Sequence, residues 1–509
     1  MFWLIGLLAL ETVLEGLLCS GAFDILQSNR KIICIVLIAA LAAPLIILSV
    51  VNWRVWIWGT FFGSYRIINL LRIYRGRLTD ERLKAMGMRA FVWLVAAQIS
   101  ITAIAGLAHE FHWGNSLLGI TMALQLMGAI ALLRATTRTW QHAATPREAS
   151  PMSDKELPSL SVLIPARNET DALEQCLQML TASDYPKLEI LVLDDCSVNR
   201  QTPEIIRSYA HAGVRFISGE VPDESHWLAK NFAYNRLAHE ASGEILLFCG
   251  VDAELMPHSM RQLVAALETR DKNMLSVLPL RKAVNADGNS LFQAMRYYWE
   301  LCLPRRLFKR PPVLSTCWLI RSETLRKMGG FESVSHSVTP EASFAQQAVT
   351  TDSYSFIRSD DELGVYSNKP AAEQYATSVR VRYPQLHKRL ELVALATFLE
   401  ILLVLGPIAG LTLAKNLAHS MEYVLVWSVT LVFLLVTYAF VSVGTRLTSP
   451  FYGWLLMPAS FVLDMAVLHI SLWKYEFSSV EWKGRNICLP VMQLREADDA
   501  RPRSEDLAR

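Results

Sequence analysis

Apolar and polar positions divide the chain into three parts. Apolar runs near the length a helix needs to cross the hydrocarbon of a bilayer occur at 2–22, 32–51, 55–71, 91–107 and 117–133, and again at 392–413, 423–443 and 451–472. Between these groups, from position 160, short apolar runs alternate with polar segments of helical length, the pattern of an α/β domain with a mainly parallel sheet. The pattern predicts strands at 160–164, 190–193, 245–249 and 275–280, with a helix over 171–180. A stretch rich in proline, serine and charge, 144–158, marks the change of solvent. The expected organisation is a membrane domain at 1–140, a linker at 141–159 and an α/β domain at 160–350. An interface and gating segment at 351–390, membrane helices at 391–473 and a tail at 474–509, disordered over 497–509, complete it.

Composition agrees with several spans: of 509 residues 52% are hydrophobic and 19% charged. A net charge of +2 gives no footprint for a nucleic-acid partner. The eight cysteines are scattered without CxxC pairs, which suits reduced thiols better than a disulfide framework or zinc site. No basic residue precedes the first apolar run, so it is not read as a cleaved secretory signal.

Lysine and arginine gather at Arg30, Lys31, the loop 72–89, Arg134 and Arg138, which positive-inside logic places in the cytosol after five crossings from an external N-terminus. The third run, with Arg54, Arg66 and its aromatics, also suits a helix lying in the interface. Glu11 and Glu15 share one face of the first run, either as a polar pathway or as a face packed on protein. Three C-terminal crossings would put the tail outside, against the preference of Lys474, Lys483, Arg485 and Arg495. The last segment, with Pro458, is therefore expected not to cross, or another segment to be re-entrant.

Chemistry gathers where strands end. Ligands in open α/β sheets bind beyond the carboxyl ends of strands, so Asn168, Glu169, Asp194, Asp195, Asp252 and Glu254 should converge on one crevice. Asp252 and Glu254, one residue apart, are hard oxygen donors suited to Mg²⁺ or Mn²⁺ carrying a diphosphate; taken alone such a pair more often marks a polar strand-to-loop corner, and it is the neighbouring acidic strand ends that favour the metal.

The ordered set IPARNE, LDDCSVNRQT, HWLAKNFAYNRLA, GEILLFCGVDAE and MGGF, within 160–347, resembles the family 2 glycosyltransferases, whose catalytic domain has the GT-A fold. The flanking apolar runs and the tail WKGR resemble the membrane-embedded branch that includes ceramide glucosyltransferase and bacterial enzymes glycosylating carotenoids and hopanoid lipids. The resemblance implies a UDP- or GDP-sugar donor, a divalent metal, a lipid acceptor and single displacement with inversion. It also implies a multi-pass cell-membrane enzyme with its catalytic domain in the cytosol.

Carried over by position, Ala166, Arg167, Asn168, Glu169, Asp194 and Asp195 match the pocket for base and ribose, and Lys230 a diphosphate cation. Asp252 and Glu254 match the metal site, whose third position is more often aspartate. Glu341, after Pro340, stands where relatives carry an aspartate as general base. Arg382 and Tyr383 match the end of the Q-x-x-R-W signature of processive synthases, whose glutamine is missing here; addition of one hexose is therefore expected, not polymerisation. A processive synthase, an inactive glycosyltransferase-like scaffold and a transporter bearing a soluble domain remain the other readings.

Overall fold

The computed structural model describes residues 2–21, 28–76, 81–144, 152–223, 226–282, 289–303, 311–367, 369–414 and 420–488. Two sequence expectations lie wholly or partly outside the described residues: part of the linker, at 145–151, and the end of the tail, including Arg495 and the terminal 497–509.

A seven-stranded sheet forms the α/β domain. Its strands are β1 (Leu160–Ala166), β2 (Leu188–Asp194), β3 (Val214–Ser218), β4 (Ile245–Cys249), β6 (Met274–Leu278), β7 (Cys317–Arg321) and β8 (Tyr354–Arg358), in the order β3-β2-β1-β4-β7-β6-β8. A short separate pair joins β5 (Ala253–Leu255) to β9 (Val365–Ser367). β3, β2, β1 and β4 run parallel; β7 enters antiparallel between β4 and β6. β4 and β6 are buried at every position, as continuous apolar runs in a sheet covered on both faces should be.

Register decides what meets at the carboxyl edge. Ala166 lies opposite Asp194, and Cys249 opposite Cys317, so the loops after β1, β2 and β4 open beside the approach to β7. The far side of this region is braced by stacked aromatics, Phe248 on Trp318 with ring centroids 4.2 Å apart, and Phe331 and Phe344 beyond.

Among the described residues seven segments are long and apolar enough to cross a membrane: Trp3–Ser20, Arg30–Val51, Lys84–Glu110, Gly114–His142, Leu390–Leu413, Met421–Gly444 and Gly453–Phe477. The third apolar run forms the helix Trp53–Tyr74 but is not one of them. It carries Arg54, Arg66 and Arg72 among its apolar residues, and buried Arg66 reaches Glu11 at 2.6 Å, Glu15 at 2.5 Å and Gln98 at 2.8 Å. Glu11 and Glu15 are thus packed against protein, with one guanidinium shared between two carboxylates. All eight cysteines are free.

Candidate functional site

A cavity of about 370 Å³ opens at the carboxyl edge of the sheet. Several elements bring charge to it. The loop after β4 delivers Asp252, whose carboxylate folds back so closely that a Cβ at Gly250 would sit 2.5 Å from its Oδ1. The helix Ala229–Glu240 supplies Lys230 from its first turn, with Nζ 5.3 Å from the centre of the Tyr234 ring. The helix Pro340–Thr350 supplies Glu341, and the helix Ala371–Gln385 supplies Arg380.

Glu341 is 2% exposed, and its Oε2 has no hydrogen-bond partner among the described residues. Burial raises its carboxyl above the ordinary range, although the Lys230 charge pulls the other way. Pro340 does not distort this geometry. It occupies the start of the helix, where its missing N–H costs nothing and its fixed φ fits, and a carboxylate in the first turn is favoured by the helix dipole.

Lys230 is held below the usual lysine range by burial, with Glu341 opposing that shift. Burial pushes the Asp252 carboxyl up, but Lys369, 3.5 Å away, a backbone hydrogen bond and the charge of Arg296 together more than offset this and leave it below its ordinary value.

The cavity therefore unites four of the expected residues, Glu169, Lys230, Asp252 and Glu341. Arg382 is a correction. Residues two apart on a helix point about 200° from each other, so when Arg380 enters the cavity Arg382 must turn away. It bonds Asp464, lies 3.6 Å from Glu400 and stacks over Trp299.

Glu254 is a second correction. Its carboxylate is 3.0 Å from Lys282, and it is absent from the cavity wall, because the backbone turns at Asp252 before β5 begins. Glu254→Ala is accordingly expected to retain metal-dependent activity, measured as transfer titrated with Mn²⁺; loss equal to that of Asp252→Ala would restore Glu254 to the site.

Ala166, Arg167, Asn168, Asp194 and Asp195 form the ground beneath the cavity and not its wall. Asn168, with φ +50°, accepts the Val198 N–H at 2.8 Å, while Asp194 accepts from the Ser197 N–H at 3.2 Å. Arg167 donates to the carbonyls of Asp195 and Cys196, stitching the β1 and β2 loops together.

Above them lies the tail. Glu481–Trp482 pairs with Arg485–Asn486 across a two-residue turn in which Lys483 (φ +49°) and Gly484 (φ +79°) are both left-handed. The strain at Lys483 is offset by its contacts: Nζ is 3.0 Å from Glu169, and its carbonyl accepts from Arg167 at 2.9 Å. Arg485 grips both carboxylate oxygens of Asp195, at 2.8 and 2.9 Å. Burial pushes Asp195 up to about 6 against the pull of Arg485, so the contact is an ion pair above about pH 6.

Sequence reading missed Arg296, Lys369, Arg380 and the pair Gln293 and Gln374, all of which line the cavity. Arg380 was visible as the neighbouring arginine of VRVR; the others carried no local signal. Among the described residues Lys230, Arg296 and Arg380 have no carboxylate within ion-pair distance.

One carboxylate, diphosphate oxygens and water suffice for Mg²⁺ or Mn²⁺. Asp252 fits that role. No group of three or more His, Cys, Asp or Glu able to hold a metal occurs among the described residues.

Residues 161–329 match the family described as Glycosyl transferase family 2. Residues 161–329 are thus similar to family 2 glycosyltransferase domains, and the mixed sheet they contribute to is GT-A-like and flanked by apolar helices. A probable glycosyltransferase, YdaM of Bacillus subtilis (strain 168), is 28% identical over 189 residues, 35% of this chain and 44% of that protein's length. The 4,4'-diaponeurosporenoate glycosyltransferase of Staphylococcus haemolyticus is 29% identical over 124 residues, 24% of this chain and 32% of the relative. Among solved structures, a mannosyltransferase of Pyrobaculum calidifontis in complex with GDP-Man and Mn²⁺ is 17% identical with a TM-score of 0.41, over 69% of this chain and 98% of that one.

Proposed function

We propose that this chain transfers one sugar from a UDP- or GDP-sugar to a hydroxyl of a lipid at the membrane face. The observation that carries this reading is the set of three cations without carboxylate partners, Lys230, Arg296 and Arg380, in one cavity with Asp252 and the buried carboxylate Glu341. Crowded like charges call for a polyanion, and a nucleoside diphosphate supplies one. Glu341 takes the proton from the acceptor hydroxyl. The oxygen then attacks the anomeric carbon from the face opposite the departing diphosphate, which inverts the configuration. The three cations hold the charge that develops on the leaving group. A divalent ion held by Asp252 would add Lewis-acid compensation of that charge.

A lipid acceptor is supported by the apolar helices packed beside the cavity and is in keeping with the relative named for 4,4'-diaponeurosporenoate. Contacts support one reading of the membrane topology. The tail hairpin bonds Glu169 and Asp195, while the loop before Met457–Phe477 bonds the catalytic domain at Arg281, Ser290 and Asp361. Both ends of that last helix lie on the catalytic side, so we read it as not crossing. Counting the less apolar helix Trp53–Tyr74, whose Arg66 is neutralised by Glu11 and Glu15, as a fifth N-terminal crossing, five N-terminal and two C-terminal crossings keep Arg30, Lys31, Arg134, Arg138, Arg446 and the tail on the cytosolic face of the cell membrane.

The test is a panel of labelled nucleotide sugars offered to membranes containing the protein with extracted lipid, read by mass spectrometry. The expected product is a lipid carrying one added hexose. A ladder of oligosaccharides would favour a processive synthase, and nucleotide binding without transfer to any lipid a scaffold. Transfer is expected to stop in EDTA, to return with Mg²⁺ or Mn²⁺, and to be lost in Asp252→Ala; full activity in EDTA would remove the metal.

A further inference from the structure

Proline near the end of a helix leaves a carbonyl unanswered four residues back, because the ring has no N–H to donate. In the helix Ala371–Gln385 the proline is Pro384, and the carbonyl left over is that of Arg380, the cation in the cavity. The Tyr475 hydroxyl, from the helix Met457–Phe477, donates to that carbonyl at 2.8 Å.

The preceding rung is also remade. Ser471 Oγ accepts from the Tyr383 N–H at 3.2 Å and donates to the Val379 carbonyl. A side chain has thus been inserted into the ladder just before the proline. Residues 471 and 475 lie one turn apart on one face, and Asp464, which bonds Arg382, lies two turns before Ser471.

The backbone that carries Arg380 is therefore held by the last apolar helix where its own helix cannot hold it. The side chain has little other anchorage: its one polar contact among the described residues is to Thr377 Oγ1 at 2.8 Å. Burial, with the charge of Arg296 added, pushes its guanidinium down to about 10, so it remains charged while under repulsion.

We propose that Tyr475 is a positioning residue for Arg380, its hydroxyl replacing the backbone bond that Pro384 removes and fixing the guanidinium where a diphosphate binds. This rests on the reading of Arg380 as a diphosphate ligand. It goes beyond that reading by assigning part of donor affinity to a residue of the apolar helix bundle that does not line the cavity.

The experiment measures UDP and GDP binding, with Mn²⁺, to the full-length protein in detergent by calorimetry. Tyr475→Phe removes one oxygen and keeps the ring; it is expected to weaken nucleotide binding roughly fivefold, the worth of one buried hydrogen bond. In a Pro384→Ala background the restored N–H can answer the Arg380 carbonyl, so the same substitution is expected to cost about twofold or less. An equal penalty in both backgrounds, or none in the parent, overturns the proposal. So does a Tyr475→Phe protein that melts earlier yet binds both nucleotides unchanged, since the tyrosine then serves the fold alone. Arg380→Ala run in parallel separates the two levels. If it binds both nucleotides as the parent does, the diphosphate assignment falls and the positioning role with it. If it binds weakly while Tyr475→Phe does not, only the positioning role falls.

Discussion

Glu341→Gln is expected to lower sugar transfer by about 10²- to 10⁴-fold, the usual loss when a general base is removed, while nucleotide binding persists. The amide keeps the size and polarity of the side chain but cannot take the acceptor proton. Wild-type transfer should also fall on acidification, and the direction of the Glu341 shift sets where. The base works ionised, and burial raises its pKa, so the acid limb of the profile should lie above the range of an ordinary glutamate. The Gln variant should lose that limb along with most of its rate. A Gln variant as fast as the parent would move the base elsewhere. Glu332 and Asp360 are poor substitutes, since neither lines the cavity and Asp360 already accepts from the Leu363 N–H at 2.8 Å.

The two arginines of VRVR should separate into different phenotypes. Arg380→Ala removes a charged ligand from the diphosphate site and is expected to cost about 10- to 100-fold in kcat/KM, with the fold retained. Arg382→Ala leaves Asp464 and Glu400, both about 5% exposed, without their cation. Breaking a buried pair in this way costs about 3–5 kcal/mol, so this variant should show lost thermal stability and yield before lost chemistry. Kinetics on purified protein beside a melting curve distinguish the two. If Arg382→Ala folds normally and Arg380→Ala transfers normally, the cavity assignment is reversed.

These expectations differ from the sequence reading at one register. Along the helix Ala371–Gln385, Arg380 and Arg382 are equivalent in composition, and either can match the arginine of a sequence signature. Which one faces the cavity depends on helix phase, and phase is set by partners far away in the chain: Asp464, Ser471 and Tyr475 on the last helix. No local pattern carries that information. The same holds for Glu254. A D-x-[DE] motif suggests two carboxylates side by side, whereas pairing of β5 with β9 and the contact to Lys282 send the second one out of the site.

What the sequence determined by itself is what local physics controls. Buried strands are apolar throughout, crossing helices are long and apolar, and strand ends carry the polar residues that ligands need. These features located β1, β2 and β4, the apolar helices and Asp252, whereas Lys230 and Glu341 came from the family resemblance. Tertiary structure alone decided which charges meet. Arg296 and Lys369 reach the cavity from helix and loop more than forty residues from Asp252, and the tail closes on Glu169 and Asp195 from some three hundred residues away. Such encounters are settled by strand order, helix phase and the pairing of buried charges, which depend on the whole packed chain and leave no periodicity in any one segment.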